Sequence, residues 1–198
     1  MISHNFIKSL SYERSKFKEQ DKFYQEQLGA TDIKRIDYDT EKGKELQEQD
    51  IDVILTVDGK AIAVSEKNRK GDYGDLLMEF YSKFPNIPGW METSQADYIA
   101  YFVPGKVYWI NNNELKSFYK DTLKNVVEND WFDNLKKQNP YNSTRETKTV
   151  NLNGEKEEIT LTHAYNKTKG ACWYTESVCV KYDCLKKHNV TITTYPLL

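Results

Sequence analysis

From residue 9 to residue 28, Leu10, Phe17, Phe23, Tyr24 and Leu28 recur among charged neighbours, and Gly29 follows. This spacing predicts an amphipathic helix ended by a glycine cap. Residues 31–39 read as a short strand or extended loop, and the polar run 40–49 as a surface connection. The period then changes. Ile51–Val57 and Lys60–Lys67 are rich in β-formers and flank Asp58-Gly59, a dipeptide suited to a two-residue hairpin turn. Apolar residues on both faces of these strands predict a pair covered on two sides. Residues 72–84 read as a helix, broken by Pro85, Pro88 and Gly89. Ala96–Val103 and Lys106–Ile110 read as strands joined by Pro104-Gly105. Leu115, Phe118, Tyr119, Leu123, Val126 and Val127 recur at helical spacing and predict a helix over 113–127. Residues 138–149 are polar and turn-rich, and the stretch from 150 onward alternates like strands.

Helix, hairpin, helix, strand pair and helix in that order predict an α/β (α+β) chain, a mixed sheet with helices packed around it. Residues 1–137 form the expected core, and 138–198 a β-rich C-terminal extension of the same domain.

Composition narrows the classes. Fourteen Tyr, eight Phe and four Trp give enough aromatic surface for a packed core, which a disordered chain would lack. With 28 basic against 30 acidic residues the net charge is −2, so any nucleic acid would have to be met by a local patch. The polar stretch Met1–Phe17 gives no sign of a signal peptide or membrane span, and the expected compartment is the cytoplasm. Cys172, Cys179 and Cys184 are then expected as free thiols. With His188 they are spaced C-x6-C-x4-C-x3-H, too wide at the first gap for a zinc knuckle. His163 offers a general base, though an ordinary polar strand position suits it better.

The hairpin carries the chemistry. If Asp58-Gly59 is the turn, Val57 faces Lys60, Asp52 faces Ser65 and Asp50 faces Lys67. Directly paired residues project from the same face of a sheet. Asp50, Asp52, Ser65 and Lys67 therefore share one face at the open end, and Glu66 points to the other. Carboxylates hold hard cations such as Mg²⁺ through oxygen. A lysine beside them can orient water and offset charge developing on a phosphate.

Gln49-Asp50-Ile51-Asp52-Val53-Ile54-Leu55 followed by Ala63-Val64-Ser65-Glu66-Lys67-Asn68-Arg69 resembles the metal-binding hairpin of PD-(D/E)xK, or restriction-endonuclease-like, nucleases, including small phage and resolvase-like members. The resemblance extends over roughly residues 9–127 and implies a Mg²⁺-dependent endodeoxyribonuclease, with Mn²⁺ able to stand in. Asp52 matches the metal-binding Asp and Lys67 the motif lysine. The residue two before Lys67 should be acidic and is Ser65. Three readings follow: a β-bulge turns Glu66 inward, Asp50 supplies the carboxylate from the neighbouring strand, or the site is weakened by loss of the acid. In many relatives a helical Glu completes the site, which points to Glu19 or Glu13, and less strongly to Glu79. Lys60, Arg69 and Lys70 are the candidate phosphate contacts. DNA is the implied partner, with a homodimer as one way to cut two strands. The alternative is an inactive nuclease-fold protein that binds DNA or a protein partner. Lys116, Lys120 and Lys124, at i, i+4 spacing, read as a solubilising face rather than a DNA track.

Overall fold

The computed structural model describes residues 6–197, with side chains from Lys16 onward. Its elements are α1 (Phe6–Leu28), β1 (Asp32–Arg35), α2 (Glu41–Glu48), β2 (Val53–Val57), β3 (Lys60–Asn68), β4 (Asp75–Lys83), β5 (Ile87–Pro88), α3 (Trp90–Thr93), β6 (Tyr98–Val103), β7 (Lys106–Asn111) and α4 (Asn112–Phe118). A π-helical turn (Tyr119–Leu123), α5 (Asn129–Gln138), β8 (Thr144–Leu152), β9 (Glu155–Lys167), β10 (Cys172–Lys181), α6 (Tyr182–Lys187) and β11 (Ile192–Pro196) follow. The chain is thus mixed α and β. It divides into two compact units, and each is interrupted in sequence. One contains residues 6–73, Thr93–Asn113 and 191–197; the other contains Gly74–Glu92 and Glu114–Val190. This division differs from the boundary expected at 137/138.

The first unit holds a six-stranded sheet in the order β1-β2-β3-β6-β7-β11. It is mixed: β3 and β6 run parallel, and the other neighbours are antiparallel. Helix α1 lies on one face, where Phe23 and Tyr24 pack with Val53, Leu55, Val64, Phe102 and Trp109. The hairpin forms as expected. Asp58 and Gly59 adopt positive φ (50° and 74°), and the register runs unshifted from Val57↔Lys60 to Val53↔Val64.

The second unit holds a five-stranded antiparallel sheet, β5-β4-β10-β9-β8. Its strand β4 corrects the helix expected over 72–84. Leu76, Met78 and Phe80 are buried and alternate with half-buried Leu77, Glu79 and Tyr81. Pairing with β10 decides the matter, because this apolar run fits both periods and only the strand satisfies the β10 ladder. Residues 40–49 are also corrected, from a surface connection to helix α2. Thr40 caps it by accepting the Gly43 N–H at 3.0 Å. Gly43 is required there, since a Cβ would stand 1.8 Å from the Asp37 carbonyl oxygen. Helix α5, with Phe132 and Leu135 buried, and helix α6 lie where no helix was expected.

Candidate active site

Four polar side chains meet on the face opposite α1: Ser65 and Lys67 from β3, Asp52 just before β2 and Asp50 from the end of α2. The Lys67 ammonium lies 2.5 Å from Asp50 Oδ1. The Ser65 hydroxyl, fully buried, donates to Asp50 Oδ2 at 2.7 Å and stands 3.5 Å from Asp52 Oδ2. Asp52 Oδ2 also accepts the Glu66 backbone N–H at 2.7 Å. Its Oδ1 accepts the Tyr38 hydroxyl at 2.6 Å. Burial and the Asp52 carboxylate push the Tyr38 hydroxyl far above its ordinary pKa, so it stays a proton donor.

Asp50 reaches this cluster from an unusual backbone position. It follows α2 with φ +55°, its N–H bonding the Gln47 carbonyl at 2.9 Å and the Ile51 N–H bonding the Leu46 carbonyl at 2.9 Å. These two bonds are a Schellman cap, whose left-handed residue is usually glycine. An aspartate here places a carboxylate beside Asp52 at a local backbone cost.

Glu66 is turned the other way. With no bulge in β3 opposite β2, its side chain enters the α1 face, where Tyr24 donates to Oε1 at 2.8 Å and Arg35 to Oε2 at 2.9 Å. Arg35 in turn binds Asp21 at 2.7 Å and lies 3.8 Å over the Phe17 ring. Burial pushes the Glu66 carboxyl up, against the opposing pull of Arg35 and Tyr24. Its carboxylate is committed to this ion pair, which corrects the bulge reading that would have made Glu66 a metal ligand.

Glu19 does not join the cluster. Glu19 pairs with Lys16 at 2.8 Å and lines a cleft of about 280 Å³ with Asn68, Arg69 and Lys70. The Glu13 side chain lies outside the described residues, and Glu79 sits in β4 of the other unit. Lys60 stands at the closed end of the hairpin, seven residues from Lys67 or about 23 Å along an extended strand. Arg69 lies 4.6 Å over the ring of exposed Tyr73. His163 is fully buried, 2.5 Å from Glu176 and stacked on Tyr174, with no exposed edge for a substrate. Cys172 is exposed, while Cys179 and Cys184 are buried. Cys172 and Cys179 are seven strand residues apart, too far to share one zinc ion.

Among the described residues, no cluster of three or more His, Cys, Asp and Glu side chains is placed to hold a metal ion. Magnesium, however, is commonly held by one or two protein carboxylates, with waters and substrate phosphates completing the shell. Asp50, Asp52 and the Ser65 hydroxyl fit that smaller requirement. Tyr38 was missed in the sequence because it lies 14 residues before Asp52, in a loop with no motif spacing. Among the described residues, no helix is long and apolar enough to cross a membrane. No protein-family model, curated protein or solved structure matches the chain significantly.

Proposed function

We propose that the chain is a metal-dependent endodeoxyribonuclease of the restriction-endonuclease-like class, with Mg²⁺, or Mn²⁺ in its place, held by Asp50 and Asp52. One observation carries this reading: two carboxylates, a buried hydroxyl and a lysine meet on one face at the open end of β2–β3. A bound divalent cation polarises a phosphoryl oxygen and lowers the pKa of bound water. Asp50 takes the place of the acid that Ser65 does not provide, and Ser65 orients it by hydrogen bonding. Lys67 orients the attacking water and offsets negative charge developing on the phosphate. Tyr38 and the Glu66 N–H fix the Asp52 carboxylate. Arg69 and Lys70, just beyond β3, contact flanking phosphates of the DNA. Cutting both strands of a duplex calls for two copies, as in a homodimer.

The second reading is an inactive relative that binds DNA or a protein. It is favoured by the direct Lys67–Asp50 ion pair and by the commitment of Glu66 to Arg35. A cleavage assay separates the two. Supercoiled, linear and single-stranded DNA are incubated with Mg²⁺ or Mn²⁺ beside Asp52→Ala, Asp50→Asn and Ser65→Glu. Metal-dependent cleavage lost in Asp52→Ala supports the nuclease. No cleavage and no metal binding by any form rejects it, and cleavage gained only in Ser65→Glu identifies an impaired site.

A further inference from the structure

Among the described residues the sheets end in four edge strands, and these are not alike. Strand β1 has four residues, β5 has two, and β11 has five and ends at Pro196. Short strands and proline are usual guards against edge-to-edge pairing. Strand β8, at the edge of the second unit's sheet, has nine residues, no proline and no shift in its register with β9. Asn153-Gly154 joins it to β9, both at positive φ (52° and 95°), as in a two-residue type I′ hairpin. In such a hairpin the flanking residues, here Leu152 and Glu155, form a hydrogen-bonded pair, and bonded and non-bonded pairs then alternate. Thr144, Glu146, Lys148, Val150 and Leu152 therefore direct their main-chain groups to β9. Arg145, Thr147, Thr149 and Asn151, all exposed, direct theirs outward.

The side chains decide which strand fits this edge. Glu146 and Lys148 project on the inner face, where they pair at 2.8 Å and Lys148 lies 5.1 Å over the Trp131 ring. Helix α5, which carries Trp131, packs over β9. In an antiparallel pairing of β8 with its own copy, outward main-chain groups meet only if odd residues oppose odd. With Thr147 on the two-fold axis, Arg145 opposes the partner's Thr149, and Glu146 opposes the partner's Lys148, each twice by symmetry. Moving the axis by one residue sets Lys148 against the partner's Lys148, or Glu146 against the partner's Glu146. Opposite charges directly across a strand pair stabilise it, and like charges destabilise it.

We infer that β8 is a dimerisation edge, which pairs antiparallel with β8 of a second copy about Thr147 and joins the two five-stranded sheets into one. A two-fold interface must be self-complementary, and the charges at 146 and 148 are so in this register alone among the central ones. The bonded pairs, Arg145 with Thr149 and Thr147 with its own copy, exchange about six main-chain hydrogen bonds. Contact along one strand is small for an interface, so the dimer is reversible, with a dissociation constant on the order of tens of micromolar. This inference stands apart from the metal site in the other unit and holds whether or not the chain cuts DNA.

The test is sedimentation velocity of the whole chain in EDTA, over concentrations from well below to well above that value. We expect a monomer–dimer equilibrium. Lys148→Glu alone and Glu146→Lys alone set like charges across the axis, and each should weaken the dimer at least about tenfold. An equimolar mixture of these two variants should dimerise again, because every carboxylate then meets an ammonium of the other chain. Thr147→Pro removes an outward N–H, leaves the β9 ladder intact and should abolish the dimer with the circular dichroism unchanged. Cysteine pairing reads the register without altering these charges. With exposed Cys172 replaced by Ser, Thr147→Cys should give a disulfide-linked dimer on mild oxidation. Arg145→Cys, about 14 Å from its own copy in this register, should not. A chain monomeric throughout, a dimer that persists in Thr147→Pro and both charge variants, a mixture that stays monomeric while Thr147→Cys fails to crosslink, or crosslinking at 145 equal to that at 147 overturns the inference.

Discussion

Asp50 couples the backbone to the site, and that coupling can be measured. It occupies the left-handed position of the α2 cap at φ +55° and holds both Ser65 and Lys67. Asp50→Gly and Asp50→Ala remove the same carboxylate contacts. They differ in the cap: a Cβ in the left-handed region costs about 1–2 kcal/mol. Glycine returns about 0.4–1 kcal/mol of that advantage through the greater freedom of the unfolded chain. The glycine variant should therefore be the more stable by about 0.5–1 kcal/mol, which is roughly 1–4 °C in melting temperature for a chain of this size. Urea titration followed by circular dichroism reads the difference. A metal at one hundred times its dissociation constant should stabilise the parent chain by about 2.7 kcal/mol, and both variants should lose most of that gain. If Asp50→Ala equals or exceeds Asp50→Gly, the cap argument fails. If Mg²⁺ stabilises the variants as much as the parent, Asp50 is not a ligand.

Four further outcomes follow. Ser65→Glu places a third carboxylate against Asp50 and Asp52 at a fully buried position; it should lower the melting temperature by several degrees in EDTA and recover part of the loss in Mg²⁺. Arg35→Ala leaves Glu66, 6% exposed, without its cation and should cost about 3–5 kcal/mol in a denaturant titration. Because burial raises the Glu66 carboxyl in the folded state, its unfavourable contribution grows as pH rises through the ordinary carboxylate range, so Arg35→Ala should be less destabilised near pH 4 than at pH 7. Tyr38→Phe removes a 2.6 Å donor from Asp52 and should change Mg²⁺ affinity measured by calorimetry, whereas an unchanged affinity would place Tyr38 outside the site. At pH 8 Ellman's reagent should titrate Cys172 first, since burial pushes the Cys184 thiol up to about 11 and leaves about one thousandth of it ionised.

The sequence was most legible where local chemistry and tertiary demand agreed. Asp58-Gly59 specified its turn, and the turn fixed the register from Val57↔Lys60 to Val53↔Val64; Asp50 meets Lys67 from the α2 cap, outside that register. The period-2 side chains of β3 likewise assigned Glu66 to the opposite face. What could not be read was set by distant partners. Leu76-Leu77-Met78 fits a helix or a strand, and only β10, about one hundred residues later, selects the strand. Glu66 gives no local sign of meeting Arg35, which stands on β1 two strands away. Helix α2 has almost no apolar face and depends on its caps, signals weaker than periodicity.

The interleaving of the two units bears on how the protein emerges during synthesis. The chain passes from one unit to the other at 73/74, 92/93, 113/114 and 190/191. The first sheet gains its outer strand, β11 on β7, only at Ile192–Pro196. A ribosome adding about 5–20 residues per second would expose the hairpin long before that strand exists. Meanwhile the growing polypeptide would hold the edge of β7 unpaired, a surface open to association with other nascent chains. Chaperone capture during this interval, seen as crosslinks that disappear once residues 191–197 have left the exit tunnel, would be the cellular signature of the topology.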